Sequence, residues 1–206
     1  MLAPGRETRF SEPIPLRLEE YVEPIAEALR SLDDVPFAIF GHSMGGTLAF
    51  ETARFHRETG RPLPLRLFIS SRRAPSLPRA GEPDHLLPDQ ELLEVVRRRW
   101  GGFPPEVERY PDVVSMALRV LRADLRALET YDSGVTPPLP VPISALGGDG
   151  DPSLPVEDLV PWERETSADF ELRVFPGDHR YLEKERSALL THLRTVLRGE
   201  VRGRRE

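Results

Sequence analysis

The sequence predicts an α/β fold, a mainly parallel sheet flanked by helices with a helical insertion, and three observations carry that prediction. Short apolar runs at residues 37–40, 65–70, 141–146 and 170–177 have the length and composition of strands. Helix-compatible patterns separate or follow them, which favours parallel rather than hairpin connections. Polar, glycine-containing turns close several of these runs, at the strand ends where open parallel sheets bind their ligands.

The elements justify themselves in order. In residues 15–32, Leu16, Tyr21, Val22, Ile25, Leu29 and Leu32 recur at helical spacing, and Pro24 is expected to kink the helix. Residues 37–40, between Pro36 and Gly41, read as a strand. A helix follows over 47–58 and stops at Gly60. A second strand covers 65–70. Residues 75–88 are rich in proline, and two amphipathic segments come next: LPDQELLEVVRRRWGG, with Asp89 as its N-cap, and SMALRVLRADLRALETY, whose Leu118, Leu121, Leu125 and Leu128 share a face. Lying between strands, they are expected to form an insertion over about 75–139. Prolines then deliver the chain to Val141, Pro142 and Ile143, the strand ends at Leu146, and 147–152 form a loop. The run FELRVFPG is the last strand, and a helix carrying Leu182, Leu189, Leu190, Leu193 and Leu197 ends the chain.

Composition narrows the function. A chain of 206 residues with 39% hydrophobic content can bury one sizeable core, so a single globular domain is expected. No run of eighteen apolar residues occurs and the N-terminus is polar, so a cytoplasmic protein without membrane contact is expected, and a monomer. The absence of cysteine excludes disulfides, cysteine nucleophiles and thiolate metal sites. A net charge of -6 argues against a general nucleic-acid binder. Lys184 is the only lysine, and the arginines cluster at Arg72 and Arg73, at Arg97, Arg98 and Arg99, and at Arg202, Arg204 and Arg205. Such clusters are solvated faces or, for the first two, a docking surface for an acidic partner.

Residues 41–45, GHSMG, fit G-x-S-x-G. The pattern suits a strand that turns sharply into a helix, where a serine is held in a strained conformation and small flanking residues let the two elements approach. Ser43 is therefore the candidate nucleophile. The helix beginning after it offers the Met44 N–H to a developing oxyanion. A serine needs a base, and the base needs an acid to hold its tautomer. In the chain order Ser, Asp, His, the acid is Asp149 or Asp151 in the loop after the third strand, and the base is His179 just past the fourth. His42 flanks the nucleophile, while His56, His85 and His192 lie away from strand ends; all four read as packing or surface histidines.

With these residues in place, the chain resembles the type II thioesterases, stand-alone editing enzymes of polyketide synthases and nonribosomal peptide synthetases, on an α/β-hydrolase fold. The matching segments are PGRETRFSEP, PFAIFGHSMGGTLAFE, SSRRAP, LRADLRALETY, ALGGDGDP and VFPGDHRYL, in family order. The resemblance implies Ser43 as nucleophile, His179 as base and Asp151 as acid, with Asp149 second. It implies that the insertion is the family's lid. It implies no metal or diffusible cofactor, and acyl or peptidyl carrier proteins bearing phosphopantetheine as partners. Such carriers are generally acidic, and the arginine clusters Arg72 and Arg73 and Arg97, Arg98 and Arg99 are the surface expected to dock them.

Two departures from the family pattern stand out. Asp178 precedes the histidine where a glycine is usual, and its charge can either raise the basicity of His179 or compete with Asp151. The chain also begins just before Pro4, without the strand and F-P-x-A-G-type loop that open family members, so an N-terminally short version with an exposed first strand is expected. The function expected is hydrolysis of carrier-bound acyl thioesters. The alternatives are another serine esterase or a non-catalytic carrier-binding relative.

Overall fold

The computed structural model describes residues 3–78 and 81–203. In chain order its α-helices and strands are α1 (Glu19–Ala28), β1 (Ile39–His42), α2 (Met44–Glu58), β2 (Leu67–Ser70), α3 (Asp89–Trp100), α4 (Pro105–Glu108), α5 (Pro111–Glu129), β3 (Ile143–Gly148), β4 (Phe170–Phe175), α6 (Tyr181–Lys184) and α7 (Arg186–Gly203). A 3-10 helix at Val156–Glu165 lies between β3 and β4. The elements fall into two compact units, Met1–Arg30 with Pro78–Gly134, and Ser31–Leu77 with Val135–Glu206. Arg204 and Arg205 lie outside the described residues.

The second unit carries the sheet, four parallel strands in the order β1-β2-β3-β4. In its register Ile39 lies opposite Leu67, Leu67 opposite Ile143, and Ile143 opposite Phe170. The inner strands β2 and β3 are buried along their whole length, because both faces of the sheet are covered. On one face Leu67, Ile69, Ile143 and Ala145 pack with Ala49, Phe50 and Ala53 of α2 and with Trp162. On the other, Phe68, Leu146 and Phe175 pack with Tyr181 and with Leu189 of α7. The alternation follows from strand geometry, which sends successive side chains to opposite faces. Arg66 is buried beneath α7, where its Nε donates to Glu200 Oε1 at 2.8 Å and its guanidinium also donates to Ser144 Oγ at 3.1 Å. β1 is an outer strand of this sheet, with Phe40 41% exposed.

The first unit is helical. Leu92 and Val96 of α3 pack against Leu118 and Leu125 of α5. Partly buried carboxylates tie its turns together. Glu129 accepts from the Asp84 and His85 backbone N–H groups, both at 3.1 Å, and contacts His85 Nδ1 at 2.5 Å. Asp124 of α5 pairs with Arg6 and accepts from the Tyr21 hydroxyl at 3.0 Å. Two segments that carry the family resemblance, PGRE and LRAD, are thus joined through Arg6 and Asp124. α1 belongs with the inserted helices in this unit, a grouping that the spacing of its apolar residues does not reveal.

Boundaries differ from expectation in instructive ways. α1 begins at Glu19 and holds Pro24 inside it. β1 starts two residues later than its apolar run and extends through His42. Asp89 is the first residue of α3 rather than its cap. β3 continues to Gly148, because Gly147 and Gly148 pair with Val174 and Phe175. Among the described residues, no helix is long and apolar enough to cross a membrane.

Candidate active site

The turn between β1 and α2 has a specific local cause. Ser43 sits at φ 53°, ψ -120°, a conformation rare for a residue with a side chain. Its N–H donates to Ser70 O at 2.8 Å, which continues the β1–β2 ladder through the turn. Gly41 is required by close approach: a Cβ there would lie 2.0 Å from Gly45 O. Met44 opens α2, a helix of 15 residues, and its N–H belongs to the first turn, which has no carbonyl one turn back to bond. Strand, strained serine and helix N-terminus are thereby held together.

The candidate acid and base lie just beyond the ends of β3 and β4. A Cβ at Gly148 would lie 2.3 Å from Gly177 O, so only glycine lets the β3 end and the loop after β4 touch. The loops are then stitched by Asp149 N–H to Phe175 O at 2.9 Å, Gly150 N–H to Gly177 O at 2.8 Å, and Gly177 N–H to Asp149 Oδ1 at 2.9 Å. That contact brings Asp151 Oδ2 to 2.7 Å from His179 Nδ1. The Asp151 carboxylate is 1% exposed, and its other oxygen accepts from Ser153 N–H at 2.8 Å and Ser153 Oγ at 2.6 Å. Burial pushes the Asp151 carboxyl upward, but the hydrogen bonds from His179 and Ser153 outweigh it, and the group is held below its ordinary value. Asp151 is therefore an anion held against the imidazole.

The other carboxylates near the base have different partners. Asp149 braces the loop through Gly177 N–H. Asp178 is turned toward its own turn, accepting from Arg180 N–H at 2.8 Å, with Lys184 Nζ 3.9 Å away. Neither takes the position that Asp151 holds on Nδ1.

His42 is closer to the site than its reading as a packing histidine implied. Its ring centroid is 5.0 Å from that of His179, and its Nδ1 is 2.9 Å from Ser70 Oγ. The remaining histidines match the expectation. His56 is fully buried with Nδ1 2.7 Å from Pro62 O, His85 is bound to Glu129, and His192 packs edge-on to Phe175 with centroids 6.3 Å apart. Sequence reasoning missed Ser153, Ser70 and Tyr181. Serines and tyrosines are too common to stand out by type, and only the pairing of the strands brings these three to the site.

The arginine clusters resolve into separate cases. Arg72 Nε donates to Thr47 Oγ1 at 2.7 Å, and Arg73 lies 3.6 Å from Asp158. Arg97 pairs with Glu108 at 3.1 Å, and Arg99 pairs with Asp84. Arg98 is exposed and makes no ion pair among the described residues.

The sequence profile of the thioesterase domain matches residues 1–197. The chain belongs to the thioesterase family. It is 36% identical over 196 residues to the gramicidin S biosynthesis protein GrsT of Aneurinibacillus migulanus, covering 95% of this chain and 76% of that one. The RedJ thioesterase from the prodiginine pathway of Streptomyces coelicolor superposes with a TM-score of 0.87 at 39% identity, covering 95% of this thioesterase and 77% of RedJ. The type II thioesterase BorB from the borrelidin cluster does so with a TM-score of 0.81 at 38% identity, over 95% and 77%. The fold is the α/β-hydrolase fold, and by family the enzyme is a thioester hydrolase. These likenesses lend no support to a different esterase class.

Proposed function

We propose that this thioesterase hydrolyses acyl thioesters carried on the phosphopantetheine arm of polyketide or nonribosomal peptide carrier proteins, releasing acyl groups that stall an assembly line. Ser43 Oγ attacks the thioester carbonyl while His179 takes its proton. The sulfur leaves with a proton from the imidazolium, and the acyl group remains on Ser43. His179 then deprotonates a water that attacks the ester, and returns that proton to Ser43. Asp151 holds His179 with its proton on Nδ1 and stabilises the imidazolium. The Met44 N–H binds the oxyanion, a contact of a kind worth about a hundred- to a thousandfold in rate. In the same reading the inserted helices serve as the family's lid.

The observation that supports this reading most strongly is the buried 2.7 Å contact between His179 Nδ1 and Asp151, with the His179 ring 5.0 Å from that of His42, the residue that precedes Ser43. The carrier-bound substrate is carried over from relatives such as GrsT and RedJ, which belong to gramicidin S and prodiginine biosynthesis. The test is labelling of the purified protein with a fluorophosphonate, alongside hydrolysis of an acyl carrier protein. Ser43→Ala is expected to abolish both. Labelling that persists on another serine would refute the nucleophile assignment.

A further inference from the structure

His42 lies beside His179 with no task in this mechanism, yet it is built into a chain of hydrogen bonds that runs into the core. Its Nδ1 lies 2.9 Å from Ser70 Oγ, and Ser70 Oγ lies 2.8 Å from the Tyr181 hydroxyl. Ser70 and Tyr181 are fully buried, and the Tyr181 ring is stacked on Phe175 with centroids 5.1 Å apart. The direction of the chain follows from which donors must be satisfied. Among the described residues the Tyr181 hydroxyl has Ser70 Oγ as its only hydrogen-bond partner. Were Tyr181 to accept from Ser70, its own proton would be buried without a partner, a costly arrangement. Tyr181 therefore donates to Ser70, Ser70 donates to His42 Nδ1, and the His42 proton resides on Nε2.

We propose that His42 is a positioning residue for His179: an uncharged imidazole, locked in one tautomer by Tyr181 and Ser70, against which the base packs in its working orientation. The ring centroids are 5.0 Å apart and the planes are inclined by 54°. A cation at that distance would oppose the imidazolium that His179 must become when it takes the Ser43 proton. The titratable groups facing His42 come from three elements: His179 from the loop after β4, Asp151 from the loop after β3, and Glu183 and Tyr181 from α6. Burial and the neighbouring His179 push His42 down to about 4 against the opposing pull of the two carboxylates, so it is neutral at neutral pH. Tyr181 is pushed up to about 12 by burial and stays a donor.

The inference rests on His179 being the base, and the test separates the two claims. Ser70→Ala removes the donor to Nδ1, Tyr181→Phe removes its support while keeping the stack on Phe175, and His42→Asn removes the ring. Each is expected to lower kcat about tenfold with little change in KM, since a misplaced base harms the chemical step more than binding. The deciding result is the combination. Ser70→Ala or Tyr181→Phe added to His42→Asn is expected to cost nothing further, because both act through His42. Nitrogen-15 spectra of the imidazoles provide a readout independent of turnover. His42 Nδ1 is expected to appear as an unprotonated acceptor at pH 6 and to gain a proton there in Ser70→Ala. Losses that multiply in the double variants, or a wild-type His42 that carries its proton on Nδ1 or titrates as an ordinary imidazole, would overturn the inference while leaving the catalytic reading intact. Full activity in His179→Ala would overturn both.

Discussion

Asp151 and Asp149 are two residues apart and chemically identical, and their surroundings give them different work. Asp151 is nearly sealed from solvent, accepts two hydrogen bonds from Ser153 and faces His179 Nδ1. Asp149 holds a backbone N–H across the loop. Asp151→Asn presents the wrong hydrogen-bonding group to His179, and with His179 as the proposed base it is expected to reduce kcat about a thousandfold or more. Asp149→Asn keeps an oxygen able to accept from Gly177 and is expected to lose no more than about tenfold. Steady-state kinetics on one acyl thioester checks the ranking, and the reverse order would move the acid to Asp149. Residue types and chain order made Ser43, His179 and the pair of aspartates candidates in the sequence, and the structure brings His179 and Asp151 together. Ser153 was not, because its value lies in where the loop places it.

At the scale of elements, the turn from β1 into α2 depends on one glycine more than on the other. A Cβ at Gly41 would strike the Gly45 backbone, whereas a Cβ at Gly45 meets nothing within 4 Å. Gly41→Ala is expected to cost about 3 kcal/mol and to lower Tm by roughly 6–12 °C. Gly45→Ala is expected to be neutral or stabilising by up to about 1 kcal/mol, as is usual for glycine inside a helix. Thermal unfolding of the two variants side by side checks this, and equal effects would contradict the geometry. Element boundaries were less legible than element types. β1 is displaced by two residues from its apolar run because its pairing with β2, set in register from Ile39 opposite Leu67, decides where the strand begins. The 3-10 helix at Val156–Glu165 escaped notice because Pro161 interrupts its pattern, although Trp162 within it is fully buried.

At the scale of the whole molecule, a net charge of -6 repels an acidic carrier, so productive docking needs local positive charge. Of the five arginines expected to serve, Arg98 is the one most available, since Arg72, Arg73, Arg97 and Arg99 have partners of their own. Arg98→Glu is expected to raise KM for an acyl-carrier substrate several-fold and to leave a small acyl thioester unaffected, with added salt weakening wild-type carrier turnover in the same way. Equal losses on both substrates would assign Arg98 to the fold instead. The sequence by itself determined the α/β alternation, and it singled out Ser43, His179 and two aspartates as candidates, because hydrophobic periodicity and strand-end turns are local properties. Only the tertiary structure decided which aspartate meets His179, which arginines are already paired, and that His42 joins Ser70 and Tyr181 beside His179. The contacts of His179 with Asp151 and of His42 with Ser70 and Tyr181 connect residues far apart in the chain, and they exist only once the parallel strands have aligned their carboxyl ends.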